Sequence, residues 1–202
     1  MLKKIIDGII AGILIAIGGG VFLACENKIV GAVLFAIALL CICIKGYSLY
    51  TGKICYIPND YSKNAFSVLL LGLLGNLIAT VICGYVLRFG LPNMGEAALK
   101  ACTTKLTQSF LQTLIRAIFC GILIYLAVDI YKKDKTVIGI LFCIPVFILS
   151  GYEHSIADMF YFAASGIVSL KACGFIWTVI LGNTIGGMLI PLLQKIGGKN
   201  EQ

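Results

Sequence analysis

The residues best suited to chemistry stand in one short stretch, Gly151-Tyr152-Glu153-His154-Ser155-Ile156-Ala157-Asp158-Met159-Phe160, which holds the only histidine of the chain. An imidazole, with an unperturbed pKa of about 6.5, exchanges protons near neutrality and donates hydrogen bonds in either protonation state. Apolar runs flank the stretch, Val137 to Leu149 before it and Met159 to Leu170 after it. Neither run alone supplies the roughly 20 helical residues that a bilayer requires, so the two read as one helix broken in the middle. Charge at membrane depth is expensive, and irregular backbone persists there only when it lines a cavity or is buried in protein. A break carrying Glu153 and His154 is therefore a functional site. Glu153 is expected chiefly to bond loop N–H groups and hold the break open. Asp158, one turn beyond His154, has the i, i+4 spacing to interact with it and favour its charged form.

Internal symmetry exposes a second break. Gly46-Tyr47-Ser48-Leu49-Tyr50-Thr51-Gly52-Lys53 follows the apolar run Ile29 to Ile44, as Gly151-Tyr152 follows Val137 to Leu149. In each half a Gly-Asn pair comes about 30 residues later, Gly75-Asn76 and Gly182-Asn183. Such pairs allow close helix crossing with an amide bond across it. Interrupted hydrophobic segments at matching positions of two halves point to a transport site between repeats.

These breaks must be held by membrane helices. The 202 residues are 60% hydrophobic and 12% charged, with a mean hydropathy of +1.02, a composition of polytopic membrane proteins. The expected fold is an all-α membrane protein of one channel domain, residues 1–202, with repeat one over about 1–100 and repeat two over about 101–202. Six transmembrane helices are predicted in two inverted repeats. Helix one covers Gly8 to Cys25, broken helix two Ile29 to Ile57 and helix three Phe66 to Leu87. Arg88 to Thr104 is read as the connection between repeats. Helix four covers about Leu106 to Ile130, with Lys132 to Lys135 a charged turn; broken helix five covers Val137 to Leu170, and helix six Phe175 to Leu193. With the N-terminus inside, Lys3, Lys4, Lys45, Lys53, Lys63, Lys132, Lys133, Lys135, Lys195 and Lys199 are cytoplasmic, leaving only Lys28, Arg88, Lys100, Lys105, Arg116 and Lys171 outside or in spans. That asymmetry places both termini in the cytoplasm.

Several classes are excluded. The net charge of +7 sits at helix ends and not in a stripe, so no nucleic-acid partner is expected. The nine cysteines are scattered through apolar runs without a CxxC pair, and read as small apolar fillers. One histidine without a companion ligand cluster argues against a haem and against metal hydrolysis, and so against a membrane-embedded enzyme; no cofactor is expected.

The chain resembles the formate/nitrite transporter family, which includes formate, nitrite and hydrosulfide channels. The carrying stretch is Gly151 to Phe160, close to the family pattern G-[FY]-E-H-x-x-A-N-M-[FY]. Leu49-Tyr50-Thr51, Gly75-Asn76-Leu77, Leu126-Ala127-Val128 and Gly182-Asn183-x-x-Gly186-Gly187 support it. The resemblance implies a homopentamer of aquaporin-like protomers in the inner (cytoplasmic) membrane, with one pore each. It further implies that His154 is the central pore histidine, Thr51 its partner on the opposite loop and Lys105 the lysine near the start of helix four. Phe35, Leu39, Leu49, Tyr50 and Phe147 would form the hydrophobic constrictions. The chain departs from the family pattern at Asp158 and Gly121, where Asn is usual, and at Tyr50, where Phe is usual.

Together these readings predict no enzyme but a channel for small monovalent weak-acid anions such as formate, nitrite or hydrosulfide. His154 would offer a hydrogen bond or a proton relay, Lys105 a field at the mouth, and the two half-helix N-termini partial positive charge. The alternative is a pore for small neutral solutes.

Overall fold

The computed structural model describes residues 1–198; Lys199, assigned above to the cytoplasmic side, lies outside the described residues. Among these every regular element is helical: α1 (Leu2–Ala24), α2 (Lys28–Lys45), α3 (Tyr50–Lys53) continued by a 3-10 helix (Ile54–Asn59), α4 (Lys63–Gly90), α5 (Pro92–Lys105), α6 (Phe110–Asp134), α7 (Ile138–Leu149), α8 (Ser155–Ser165) and α9 (Leu170–Ile196). Five of them, α1, α2, α4, α6 and α9, are long and apolar enough to cross a membrane, and α7 is a shorter apolar helix. Their outward faces carry large apolar side chains, among them Leu70, Ile82, Phe142 and Trp177, as suits contact with lipid.

Helix starts follow from short polar side chains that satisfy the first free N–H groups. Asn27 caps α2, accepting from Ile29 N at 3.0 Å, and Ser62 caps α4, accepting from Ala65 N at 3.1 Å. Ser169 caps α9 through Ala172 N at 3.1 Å. At α6 a reciprocal pair forms: Ser109 Oγ accepts from Gln112 N at 3.3 Å and Gln112 Oε1 from Ser109 N at 2.8 Å. This box moves the start of the fourth long helix from the expected Leu106 to Phe110.

Other expected boundaries shift as well. Arg88 to Thr104 is not an open connection: α4 runs on to Gly90, and α5 fills the rest with Pro92 in its first turn. Met94, Ala98 and Cys102 recur at helical spacing and are buried, which gives α5 one packed face. Lys132 to Asp134 belongs to α6, and only Lys135 leaves it, with φ +55°. Pro191 lies inside α9 and does not end it. The downstream half of the expected fifth helix stops at Ser165, where Gly166 takes φ +72°.

The most extensive pairings are α1 with α4 and α6 with α9. Both bring backbones together at glycine. A Cβ on Gly12 would stand 2.8 Å from Asn76 O, and one on Gly121 would stand 2.8 Å from Gly187 N. Small residues at such crossings let helices associate where no water-driven force exists between them. Gly121→Leu is therefore expected to force α6 from α9 at a cost of about 1–3 kcal/mol or more, read as a lower Tm of the detergent-solubilised protein; an unchanged Tm would deny the close crossing.

Candidate functional site

Two irregular links, one in each half, converge in the interior. After α2 the chain turns at Gly46, φ +74°, and runs extended to Leu49 before α3; after α7 it turns at Gly151, φ +68°, and runs to His154 before α8. Each link has backbone polar groups that no helix satisfies, and in each an asparagine from a later helix satisfies them. Asn76 of α4 accepts from Tyr50 N at 2.9 Å while its Nδ2 donates to Ser48 O at 2.9 Å and to Gly8 O of α1 at 2.8 Å. Asn183 of α9 accepts from Ser155 N at 2.8 Å while its Nδ2 donates to Glu153 O at 2.9 Å and to Ala117 O of α6 at 2.9 Å. Both asparagines are fully buried. Gly75 and Gly182 beside them let the backbone of α4 pass close to Ile9 of α1 and that of α9 close to Leu114 of α6.

His154 is the N-cap of α8. Its Nδ1 accepts from Ala157 N at 3.2 Å, and its Nε2 lies 2.9 Å from Thr51 Oγ1 of the opposite link. With Nδ1 an acceptor, the neutral ring carries its proton on Nε2, which donates to Thr51. The imidazole stacks on Phe147 at 5.7 Å between centroids, and Phe147 meets Phe35 edge-on at 6.2 Å. The expected interaction of His154 with Asp158 does not form through side chains. Only the backbones bond, Asp158 N to His154 O at 2.9 Å, because the ring faces Thr51 and Asp158 faces α5.

Lys105, at the end of α5, reaches both acidic side chains. Its Nζ pairs with Glu153 Oε2 in direct contact and lies 3.0 Å from Asp158 Oδ1. Gln108 Nε2 donates to Glu153 Oε1 at 2.7 Å. Glu153 thus binds side chains of the α5–α6 region and not the loop N–H groups assigned to it above, since Asn183 already serves the loop. Both short helices are likewise engaged at their N-termini: Asn76 takes Tyr50 N at α3, and at α8 Asn183 takes Ser155 N and His154 takes Ala157 N.

These groups border a cavity of about 230 Å³ lined by Lys105, Gln108, Glu153, His154, Asp158 and Tyr161, with Phe35 and Phe147 at its inner side and Arg116 at its rim. A smaller cavity, about 60 Å³, is lined by Leu39, Leu49, Gly52, Lys53, Val128 and Lys132. Phe35 and Leu39, one turn apart on α2, each face one of the two spaces. Tyr50 lines neither; its hydroxyl turns to Thr184 Oγ1 of α9 at 2.8 Å, which sets it apart from the other four expected constriction residues. Arg116 Nη1 donates to Gly151 O at 3.4 Å. Sequence reasoning missed Gln108, which carries no motif, and missed that Asn76 and Asn183 clamp the links, although their near-equal spacing from Tyr50 and Ser155 signalled it. Among the described residues no group of His, Cys, Asp and Glu is arranged to hold a metal ion.

The chain belongs to the formate/nitrite transporter family, whose sequence pattern matches residues 1–195. It is therefore an integral membrane protein of a transporter family. It is 28% identical over 186 residues to formate-nitrite transporter 2 of Toxoplasma gondii, with 81% of this chain and 40% of that protein covered. It is 29% identical over 174 residues to the nitrite transporter NirC of Escherichia coli, with 76% of this chain and 65% of that protein covered. The chain thus spans less than two thirds of the length of either. Among solved structures it is similar in fold to a pentameric formate channel with formate bound, at a TM-score of 0.80 and 21% identity, covering 98% of each chain.

Asn183→Ala leaves Ser155 N and Glu153 O without their partner in the interior, each at about 1–3 kcal/mol. The expected result is a Tm well below that of the wild type, and Asn183→Asp is expected to do no better, because a buried carboxylate cannot donate to the carbonyls of Glu153 and Ala117; a wild-type Tm in either variant would show that the carboxamide does not hold the link.

Proposed function

We propose that this protein is a channel for small monovalent weak-acid anions, with formate, nitrite and hydrosulfide as the candidate permeants. The observation that carries the reading is the buried polar cavity around Lys105, Glu153, His154 and Asp158, set against an apolar seal of Phe35, Leu39, Leu49 and Phe147. A bare anion cannot cross such a seal cheaply, because transfer of an ion to a low-dielectric medium costs many kcal/mol. A neutral conjugate acid can. The polar side of the site is where the anion is received and the proton joins it.

The protomer is read as two inverted repeats, about 1–100 and 101–202, and six spans. In this reading α2 with α3 and its 3-10 continuation make one interrupted span, α7 with α8 make another, and the two halves give an aquaporin-like arrangement. The matched asparagine clamps support this, since each joins its link to the first long helix of its own half. The named solved channel is pentameric, and by likeness this chain is proposed to form a homopentamer with one pore per protomer, in the cytoplasmic membrane with both termini inside. Native mass spectrometry in detergent is expected to give five copies; a stable monomer or dimer would refute the assembly.

His154 and Thr51 stand where the links meet and act as the central hydrogen-bonding pair, with Nε2 as donor. A relay through His154 would require an imidazolium, whose Nδ1–H would break the bond from Ala157 N. His154→Asn keeps a cap of the preferred type for α8 and a donor toward Thr51, so it is expected to assemble and to keep the shape of the flux-against-pH curve between about pH 5 and 7.5. Loss of that pH response would return the relay to His154.

The second reading, a pore for neutral solutes, draws support from Lys105, whose ammonium is already held by the carboxyl groups of Glu153 and Asp158 and so exerts little pull on an anion. A panel of formate, nitrite, hydrosulfide, glycerol and urea in proteoliposomes at two pH values separates the readings. Protein-dependent flux of the weak acids is expected. Flux of only glycerol or urea would overturn the first reading.

A further inference from the structure

The buried charges of the larger cavity do not balance. One ammonium, on Lys105, faces the carboxyl groups of Glu153 and Asp158, whose side chains are 2% and 1% exposed. The two acids are held differently. Glu153 has a donor on each oxygen, Lys105 on Oε2 and Gln108 on Oε1. Asp158 has Lys105 at 3.0 Å on Oδ1, while its Oδ2 is buried without a hydrogen-bond partner and its side chain lines the cavity. A buried charged oxygen with no donor is destabilising, and so is a net charge left uncompensated in a low-dielectric interior. A proton on Oδ2 removes both penalties and leaves an O–H beside the Glu153 carboxylate, on a side chain that lines the cavity.

The surroundings offer no second cation to do this instead. From α5 come Lys105 and Cys102; from α6, Cys120 and Arg116; from α8 itself, Tyr161. Arg116 is exposed at the rim and turned to Gly151 O. His154 is committed to Ala157 N and Thr51. The charged residues of α1, α4 and α9 stand near the ends of those helices.

We propose that Asp158 holds an exchangeable proton on Oδ2 and passes it to the weak-acid anion that enters the cavity, which makes Asp158 the proton donor of this pore. The step rests on the channel reading above. The O–H bond of the Asp158 carboxyl breaks with its electron pair left on Oδ2, and the proton bonds to the anion, which leaves across the seal as the neutral acid. The Asp158 carboxylate stays beside Lys105 until a hydronium ion reaching the mouth reprotonates it and leaves as water. No electrons are transferred.

The test is infrared spectroscopy of the protein in lipid bilayers at neutral pH, paired with formate flux in the same liposomes. Wild type is expected to show the C=O band of a protonated, deuterium-exchangeable carboxyl, and Asp158→Asn is expected to lose it. Glu153→Gln removes the excess negative charge, so Asp158 ionises and the band is lost there too. Wild-type formate flux rises as pH falls, and Asp158→Asn loses that rise. No band in wild type, a band that persists in Asp158→Asn, or one that persists in Glu153→Gln overturns the proposal, as does an unchanged pH dependence of flux in Asp158→Asn. A wild type that carries no formate, nitrite or hydrosulfide at any pH overturns the channel reading and the transfer step with it. The band then decides separately whether the proton resides on Asp158.

Discussion

The arrangement depends on two buried carboxamides. Irregular backbone inside an apolar bundle is permitted only where something replaces the hydrogen bonds that a helix would have made. Asn76 and Asn183 each do so with one acceptor and two donors, holding a link at two points and tying it to a neighbouring long helix. An aspartate in their place could not donate, and a glutamine would be one methylene too long for a crossing as tight as that beside Gly75 or Gly182. Thr51 and His154 can meet across the middle only because both links are fixed in this way.

That division of labour frees the ionisable side chains. Asn183 serves the loop amides, so Glu153 is available to Lys105 and Gln108. His154 caps α8 through Nδ1, so its other nitrogen has a set direction and a set proton. The polar interior is thus one connected network in which each member's partner is fixed by what another member has already satisfied, an arrangement in which pairwise contributions are not separable.

The plan of the chain was legible where the physics is local and strong. Long apolar runs gave α1, α2, α4, α6 and α9, and the intrusion of Glu153, His154 and Asp158 into such a run marked the site. Repetition of Gly and Asn at similar spacing marked the second link. What was not legible was set by partners distant in sequence. α5 was missed because its mean hydropathy is low and only one face packs. Glu153 was assigned to the loop because nothing local to it announces Lys105, 48 positions earlier. Tyr50 was placed with the constriction residues, but its hydroxyl found Thr184, 134 positions away. Sequence periodicity shows which face is buried, not which buried group a polar tip will find.

The glycine crossings of α1 on α4 and α6 on α9 also have a mechanical consequence. Where backbone lies against backbone there is no layer of side chains to compress or to slide over, so each pair behaves as a stiff beam. Between the beams, the residues proposed as the seal are a few rings and branched chains from α2, α7 and the first link. Under the channel reading, opening this seal to a small molecule calls for rotation of Phe35, Leu39, Leu49 or Phe147 about their own side-chain bonds, with the paired helices left in place. On that reading the passage is a fixed frame with movable bristles.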